Sequence, residues 1–302
     1  MNKLFTVNYF RDGLIEEFHE GVLQYGFDSN NTTPYYLRSC AKPLQASLLI
    51  DYGIDFSEEE LAFCSGSHAG EECHVKVAKG ILKKLGIDES YLKCGIHPPL
   101  SRRMQDSMLL KGECPSTIHN NCSGKHLGFL AICLKKGWDP DTYYLPDHPL
   151  QIEVKRKIYE LCGVEREYPL TTDGCGVPIV SMPLNNIITG YKNLVYKYPQ
   201  IVNAIIENPY IFGGENRLDT EIIQNSENIL AKVGAGGLCV VYNTKEDNGL
   251  VVKLEDASIA ARRVAVLELL KRLNWAEIPY DDKIRTISGK EVGHIMIRID
   301  NS

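Results

Sequence analysis

The residue types best suited to chemistry begin with a serine and a lysine that stand three positions apart. Ser39 and Lys42 lie in the segment RSCAKPLQ, which runs into an apolar stretch with helical spacing. Residues three apart on a helix share a face, so Lys42 would lie over Ser39 if a helix begins there. A serine hydroxyl needs a base within hydrogen-bond reach, and a lysine whose pKa is lowered can be that base. The spacing is compatible with nucleophilic catalysis, although a solvated helix start produces the same pattern by chance.

Two further segments concentrate polar and reactive side chains near the starts of predicted helices. Residues 64–71, CSGSHAGE, contain Ser67 and His68 between glycines. This is typical either of a capped turn or of a second catalytic hydroxyl beside N–H groups that bind an oxyanion. Residues 119–126, HNNCSGKH, are denser in groups that ligate metals or transfer protons. Packing alone does not explain such a loop, and we expect it to line a functional site.

Two of the ten cysteines stand apart from the others. In a reducing compartment a chain of this length is not expected to use cysteines as a disulfide framework, and most of them fit small core positions. Cys122 and Cys175 instead lie in polar loops that contain glycine. They could share a zinc ion, with His126, His119 or Asp173 completing the ligand set. No CxxC pair or HxxxH motif supports this on spacing alone.

A lysine in the C-terminal third interrupts an apolar strand pattern. Lys253 lies in VVKLED, where alternation predicts an outward-facing side chain on a half-exposed strand. The alternative is a charged group directed from a sheet edge into a cleft. The glycine-rich segment at residues 232–237 would leave room for a ligand close to the backbone.

Length and composition set the class of protein that must position these groups. The chain has 302 residues, 44% hydrophobic and 24% charged, which is typical of a soluble globular protein. A net charge of −6 does not favour a nucleic-acid partner, and no apolar run is long enough to span a membrane. No signal-peptide pattern and no phosphate-binding glycine loop is found. We therefore expect a cytoplasmic protein, folded as a single catalytic domain over residues 1–302.

The pattern of elements predicts strands at both ends of the chain around a helical middle at about residues 39–230. A turn signal at residues 11–13 predicts a hairpin near the start, with a further strand in GVLQYGFD. Helices are predicted over residues 39–51, after a capping box at Ser57, and over residues 71–85, 123–136 and 150–162. The C-terminal third predicts a hairpin, an amphipathic helix and a closing strand. The expected fold is α/β in the loose sense (α+β), with an antiparallel sheet that both termini complete.

The polar segments together resemble a known family. RSCAKPLQ, CSGSHAGE, HNNCSGKHLGFL, TDGCGVP and VVKLEDAS occur in the order found in the Rhizobium etli-type (class 3) L-asparaginases, over roughly residues 5–300. The resemblance implies a fold similar to serine β-lactamases and penicillin-binding proteins. It also implies hydrolysis of L-asparagine to L-aspartate and ammonia, a zinc cofactor and a homodimer.

The resemblance also implies roles for individual residues. It pairs a nucleophile with a lysine at Ser39 and Lys42, and a second serine with a second lysine at Ser67 and Lys253. The implied zinc ligands, a set that includes a lysine on the resemblance alone, are Cys122, Lys125 and Cys175. The residues implied to line the substrate site are Arg38, His68, His126 and Asp173.

Two departures and two alternative functions accompany this resemblance. Residues 234–237 read GAGG where relatives often carry an acidic residue after the alanine, and residues 213–217 differ from the usual glycine-rich version. A cytoplasmic serine hydrolase related to β-lactamases is one alternative, although no Lys-Thr-Gly or Ser-Asp-Asn motif occurs. A zinc-stabilised protein that binds an amino acid without turnover is the other.

Overall fold

The dominant element of the protein is a seven-stranded antiparallel sheet. The computed structural model describes residues 2–300. The strands are β1 (Asn2–Arg11), β2 (Leu14–Tyr25), β3 (Tyr35–Tyr36), β4 (Leu170–Thr172), β5 (Pro178–Met182), β6 (Ile229–Val233), β7 (Leu238–Asn243), β8 (Asn248–Leu254), β9 (Lys283–Arg285) and β10 (Glu291–Ile299). The large sheet has the order β6-β7-β8-β2-β1-β10-β9, and β3, β5 and β4 form a small sheet. Strands from both ends of the chain therefore lie side by side.

Eleven α-helices of the described residues cover and extend this sheet. They are α1 (Lys42–Asp51), α2 (Glu58–Ser65), α3 (Glu72–Leu85), α4 (Arg102–Lys111), α5 (Ser123–Lys136), α6 (Pro149–Cys162), α7 (Leu184–Lys197), α8 (Pro199–Glu207), α9 (Pro209–Phe212), α10 (Leu218–Gln224) and α11 (Ile259–Arg272). Helices α7 and α11 pack against β8, while α1, α2 and α5 pack against one another. The predicted α+β architecture, an antiparallel sheet with packed helices, is confirmed. Across residues 2–300 none of the helices combines the length and apolarity needed to traverse a bilayer.

The turns and caps form where their residue types predict them. Asp12 and Gly13, with φ values of 46° and 86°, make the two-residue hairpin turn between β1 and β2. Ser57 closes a capping box at the start of α2, and glycines in the left-handed region end α3, α5 and α6. One expectation was wrong, because GVLQY is the second half of the long strand β2 and not a separate strand.

Two helices are buried along most of their length. In α1 the buried run extends from Lys42 to Leu49, and in α5 it extends from Ser123 to Cys133. A helix that is buried all round lies in the interior of a protein and not on its surface. Polar side chains on these two helices are therefore held away from water, and only other side chains, the backbone or a ligand can satisfy them.

A buried ion pair connects the edge strand of the sheet to helix α10. Lys232 of β6 and Asp219 of α10 are both fully buried, and Nζ lies 2.9 Å from Oδ2. The backbone N–H of Val233 also donates to this carboxylate, at 3.3 Å. Burial disfavours the charged carboxylate, but the Lys232 ammonium outweighs it and lowers the pKa of Asp219. The pair therefore holds β6 against α10.

Replacing Asp219 with alanine should destabilise the fold strongly, because the buried Lys232 ammonium would lose its counter-ion. We expect a loss of about 3–5 kcal/mol in the free energy of unfolding, measured by urea denaturation. The double variant D219L/K232M removes both charges and should recover most of that loss. Equal losses in the single and double variants would contradict this account of the pair.

Candidate active site

A cavity of about 270 Å³ opens where the turn that precedes α1, the β6–β7 turn and the segment before α10 meet. Its polar lining includes Ser39, Ser67, Asn121 and Arg217, and the backbone of residues 233–237 forms one wall. The volume is at the small end of the range for ligand pockets, about 300–1,000 Å³. At Gly237, where φ is +76°, a Cβ atom would lie 2.7 Å from the carbonyl oxygen of Leu254. Only glycine fits this close approach of the wall to β8.

Ser39 lies in a turn of 3-10 helix that precedes α1. This turn spans Arg38–Ala41, and the α-helix begins at Lys42 and not at Ser39 as the sequence predicted. Side chains three apart on a 3-10 helix eclipse each other, so Ser39 and Lys42 still share a face. Arg38 adopts a φ of 48°, a left-handed conformation that is uncommon outside glycine. The half-buried Ser39 therefore follows a strained residue at the cavity wall.

Lys42 donates to the second serine. Its Nζ lies 2.9 Å from Ser67 Oγ and 3.1 Å from the carbonyl oxygen of Asn121, and the residue is only 1% exposed. Burial is the main cause that lowers the pKa of Lys42, and the positive charges of Lys125 and Lys232 act in the same direction. A neutral amine in contact with a hydroxyl is the arrangement that a general base requires.

Lys253, which the resemblance pairs with Ser67, forms its hydrogen bond elsewhere. It is half-buried on β8, and its Nζ donates to the carbonyl oxygen of Leu254 at 2.5 Å. Among the described residues it makes no hydrogen bond with Ser67, so the expected Ser67–Lys253 pair is not formed. Lys42 takes the place beside Ser67, because α1 and the loop after α2 bring their side chains together.

A second group of buried side chains contains Cys122, Lys125 and Cys175. Lys125 Nζ donates to Cys175 Sγ at 3.0 Å, while Cys122 Sγ donates to Asn121 Oδ1 at 3.6 Å. The neighbouring Cys122 thiol, aided by the charge of Lys125, lowers the pKa of Cys175, whereas Cys175 together with burial raises the pKa of Cys122. Burial disfavours the charge on Lys125, but the thiols outweigh it and raise its pKa. These pKa shifts favour a thiolate at Cys175 beside an ammonium at Lys125.

These donors fit a zinc ion by their chemistry. Two cysteine sulfurs are common zinc ligands, and an amine can serve once the metal replaces its proton. Nearby, the buried Nε2 of His126 has no hydrogen-bond partner, while its Nδ1 lies 2.5 Å from the Tyr143 hydroxyl. Within residues 2–300, no three His, Cys, Asp or Glu side chains gather into a metal cluster. Any zinc site here therefore depends on Lys125.

Close packing between α5 and α2 fixes the position of the helix start that carries Cys122 and Lys125. Gly124 lies between Cys122 and Lys125 at the start of α5, and a Cβ there would lie 2.3 Å from the carbonyl oxygen of Phe63. The glycine in this motif is therefore required by the contact between α5 and α2.

An ion pair connects the turn that carries Ser39 to the loop that carries Cys175. Arg38 Nε lies 2.9 Å from Asp173 Oδ1, whose side chain is 8% exposed. Burial opposes the carboxylate charge, but Lys125 and Arg38 together lower the pKa of Asp173. Asp173 begins the loop that ends at Cys175, and its backbone N–H bonds to the carbonyl oxygen of Val177 at 2.8 Å. The ion pair between these two residues, both predicted to line the site, therefore links the turn of Ser39 to the loop of Cys175.

His68 has a positioning role in this structure. The N–H of Gly70 donates to its Nδ1 at 3.1 Å, so its Nε2 carries the proton and donates to Ser123 Oγ at 2.9 Å. Burial, then His74 and Lys42, hold the pKa of His68 well below its usual range. A neutral His68, fully buried, fixes the loop that carries Ser67 onto the start of α5.

Three residues of the site were not singled out from the sequence. Asn121 lies within the dense polar loop, but its contribution is a carbonyl oxygen that any residue type supplies. Lys232 was noted only within a glycine-rich run, although a charge in an otherwise apolar five-residue strand is itself a signal. Arg217 belongs to the segment that departs from the usual glycine-rich version. Its place at the cavity depends on tertiary contacts.

Three solved structures share a distant likeness with this chain. A β-lactamase from Mycobacterium bovis is 11% identical, with a TM-score of 0.43, over 90% of this chain and 95% of its own. SurE, solved with D-Leu, is 11% identical with a TM-score of 0.42, over 99% of this chain and 83% of its own. An octameric penicillin-binding protein homologue from Pyrococcus abyssi is 13% identical with a TM-score of 0.33, over 89% and 74%. At these scores the likenesses do not bear on activity.

The sequence itself matches a family described as L-asparaginase II. The match runs over residues 7–296 and so includes every segment that builds the site. No curated protein matches the sequence significantly. The family match covers nearly the whole chain, and this protein therefore belongs to the L-asparaginase II family of amidohydrolases.

Proposed function

We propose that the protein hydrolyses L-asparagine to L-aspartate and ammonia through a Ser–Lys mechanism. The observation that carries the proposal is the 2.9 Å contact between Lys42 Nζ and Ser67 Oγ at a cavity that Ser39 also lines. The cavity suits a molecule the size of an amino acid. Ser39 is the more accessible hydroxyl, because it is half-buried whereas Ser67 is 1% exposed. This favours Ser39 as the nucleophile and Ser67 as the group that carries its proton to Lys42.

In the first half-reaction Ser39 Oγ attacks the side-chain amide carbon and a C–O bond forms. The Ser39 proton passes to Ser67, whose own proton passes to neutral Lys42. Backbone N–H groups of the cavity wall would stabilise the tetrahedral oxyanion. The proton then returns to the nitrogen, the C–N bond breaks, and ammonia leaves. Water hydrolyses the aspartyl ester by the same proton route, which releases L-aspartate and restores Ser39.

We further propose that Cys122, Lys125 and Cys175 hold a zinc ion. The contact between Lys125 Nζ and Cys175 Sγ supports this, and so does the effect of both cysteine side chains on the pKa of Lys125, because it indicates that the three donors lie near one another. Bound there, zinc would supply Lewis-acid polarisation to a bound water or to the substrate. The protein itself positions the three donors. Gly124 allows α5 to pack closely against α2, and the Arg38–Asp173 ion pair holds the loop that carries Cys175.

Location and assembly are also proposed and not observed. We infer a cytoplasmic homodimer, as the family resemblance implies. The ten cysteines are all free thiols in the structure, in keeping with a reducing compartment.

Purified protein should release ammonia from L-asparagine and leave a chromogenic β-lactam unchanged. Glutamine, measured in parallel, gives the selectivity between the two amides. An aspartyl adduct on the peptide that contains Ser39, found by mass spectrometry after acid quenching, would identify the nucleophile. Asparagine binding without ammonia would favour the amino-acid-binding alternative, and β-lactam turnover without ammonia would favour the β-lactamase-like one.

Replacing Lys42 with methionine should lower kcat by at least about a hundredfold, because the base is lost. Lys42→Arg should not restore activity, since a guanidinium stays protonated. Lys253→Met tests whether Lys253 takes part in catalysis. The resemblance implies that it does, whereas the observed contact of Lys253 with the backbone predicts a change in kcat of only a few-fold. Lys135→Met, an exposed site on α5, is the matched control. Full activity in Lys42→Met would contradict this role of Lys42.

The rate should depend on pH through Lys42. Only neutral Lys42 accepts a proton, so kcat/KM should fall as pH drops through the pKa of this amine. Because burial lowers that pKa, the acid limb should lie below the usual range for lysine. A pH profile of kcat/KM in the wild type measures the limb. A rate that still rises as pH is raised through the ordinary lysine range would show that Lys42 is not the base.

Cys175→Ala should abolish zinc binding. Metal analysis of the purified protein measures the zinc content directly, and competition with a chromogenic chelator gives the affinity. The control is Cys133→Ala, which removes a different buried thiol, on α5, and should keep the wild-type zinc content. Equal zinc in Cys175→Ala and wild type, or none in the wild type, would rule out this site.

A further inference from the structure

The charge of the cavity is one-sided. Its lining includes two arginines, Arg217 and Arg262, and within the described chain no acidic residue contributes to it. Arg262 is already engaged, because its guanidinium donates to the carbonyl oxygens of Gly234 and Leu238 at 2.7 and 3.3 Å. It therefore holds the β6–β7 turn in place. Arg217 is the lining arginine that does not hold this turn.

The guanidinium of Arg217 has an unsatisfied donor. Its Nε is buried without a hydrogen-bond partner. Among residues 2–300 no carboxylate lies within ion-pair distance of it, although its charge helps to lower the pKa of Asp219, which is paired with Lys232. Buried polar groups in proteins almost always have partners, and one without a partner costs free energy that a ligand can recover. The side chain is half-buried at the cavity, so a bound molecule can reach it.

The segment that carries Arg217 is fastened to the loop of Ser67. The N–H of Ser67 donates to the carbonyl oxygen of Phe212 at 3.0 Å, and the N–H of Glu215 donates to the buried Glu71 carboxylate at 3.0 Å. Gly214 adopts a φ of +113°, and a Cβ there would lie 2.5 Å from that of Ala69. Two anchors and a close approach therefore fix Arg217 relative to the Ser67 hydroxyl.

We propose that Arg217 binds the carboxylate of the substrate and so selects amides that carry a carboxylate at the end opposite the scissile bond. This rests on the proposed amidase function of the cavity. A guanidinium pairs with a carboxylate through two parallel N–H···O bonds, which fixes both distance and direction. The substrate would thus be held at its charged end by Arg217 while its amide carbon faces the serines.

Three linear amides test this assignment. L-Asparagine has both an α-ammonium and a carboxylate, succinamate lacks the ammonium, and β-alaninamide lacks the carboxylate. Wild-type protein should prefer L-asparagine to β-alaninamide by on the order of 10- to 100-fold in kcat/KM, the effect of one charge-assisted interaction. Succinamate should retain the part of this preference that the carboxylate provides. Ammonia release from all three is the readout.

Arg217→Met should remove the preference for carboxylate-bearing amides, chiefly by raising KM, while turnover of β-alaninamide stays within a few-fold of wild type. Arg217→Lys should restore part of the preference. Arg156→Met, an exposed change on α6, should keep it. Circular dichroism and a cooperative thermal transition should show that Arg217→Met is folded at the assay temperature.

The outcomes separate the two proposals. Ammonia from none of the three amides in the wild type would overturn the proposed function itself. Ammonia from L-asparagine with an unchanged substrate preference in a folded Arg217→Met would overturn only the role of Arg217. A loss of rate that is equal for all three amides would assign Arg217 to the general shape of the site and would likewise overturn carboxylate recognition.

Discussion

The site depends on an amine that the fold keeps out of water. Lys42 begins a helix that is buried along most of its length, and within the described part of the chain its Nζ donates to Ser67 and to the backbone of Asn121 alone. An isolated ammonium in such surroundings is costly, so burial favours the neutral form. The basicity of Lys42 is therefore set by how tightly α1, α2 and α5 pack. A change in that packing would affect the chemistry before it affected the overall shape.

Neighbouring charges are balanced in pairs around this amine. Lys232 is neutralised by Asp219, and Lys125 donates to the sulfur of Cys175. Burial is the largest cause that lowers the pKa of Lys42, and together with Lys125 and Lys232 it outweighs Cys122 and Cys175, which raise that pKa. This division lets three lysines occupy one interior region while only one of them is suited to accept a proton.

Local signals predicted most of the fold, and long-range contacts decided most of the site. The Asp12-Gly13 turn and the Ser57 capping box act within a few residues, so a single sequence is enough to predict them. The partner of Ser67 could not be predicted from such local signals. Lys42 and Lys253 are both plausible from residue type, and only the packing of α1 against the loop after α2 brings Lys42 into contact. Alternation predicted an outward-facing Lys253 on a half-exposed strand, but β8 is buried along most of its length and Lys253 is only partly exposed within it.

The pairing of the first and last long strands has a consequence for biosynthesis. Strand β10 lies between β1 and β9, so until residues 291–299 have left the ribosome the β1 edge has no partner. An open edge strand is a template for pairing with another chain. The β1–β2 hairpin, made before β10, must therefore wait until the segment that contains β10 has been synthesised. We expect chaperone demand and aggregation during synthesis to centre on this edge, far in the sequence from the catalytic residues.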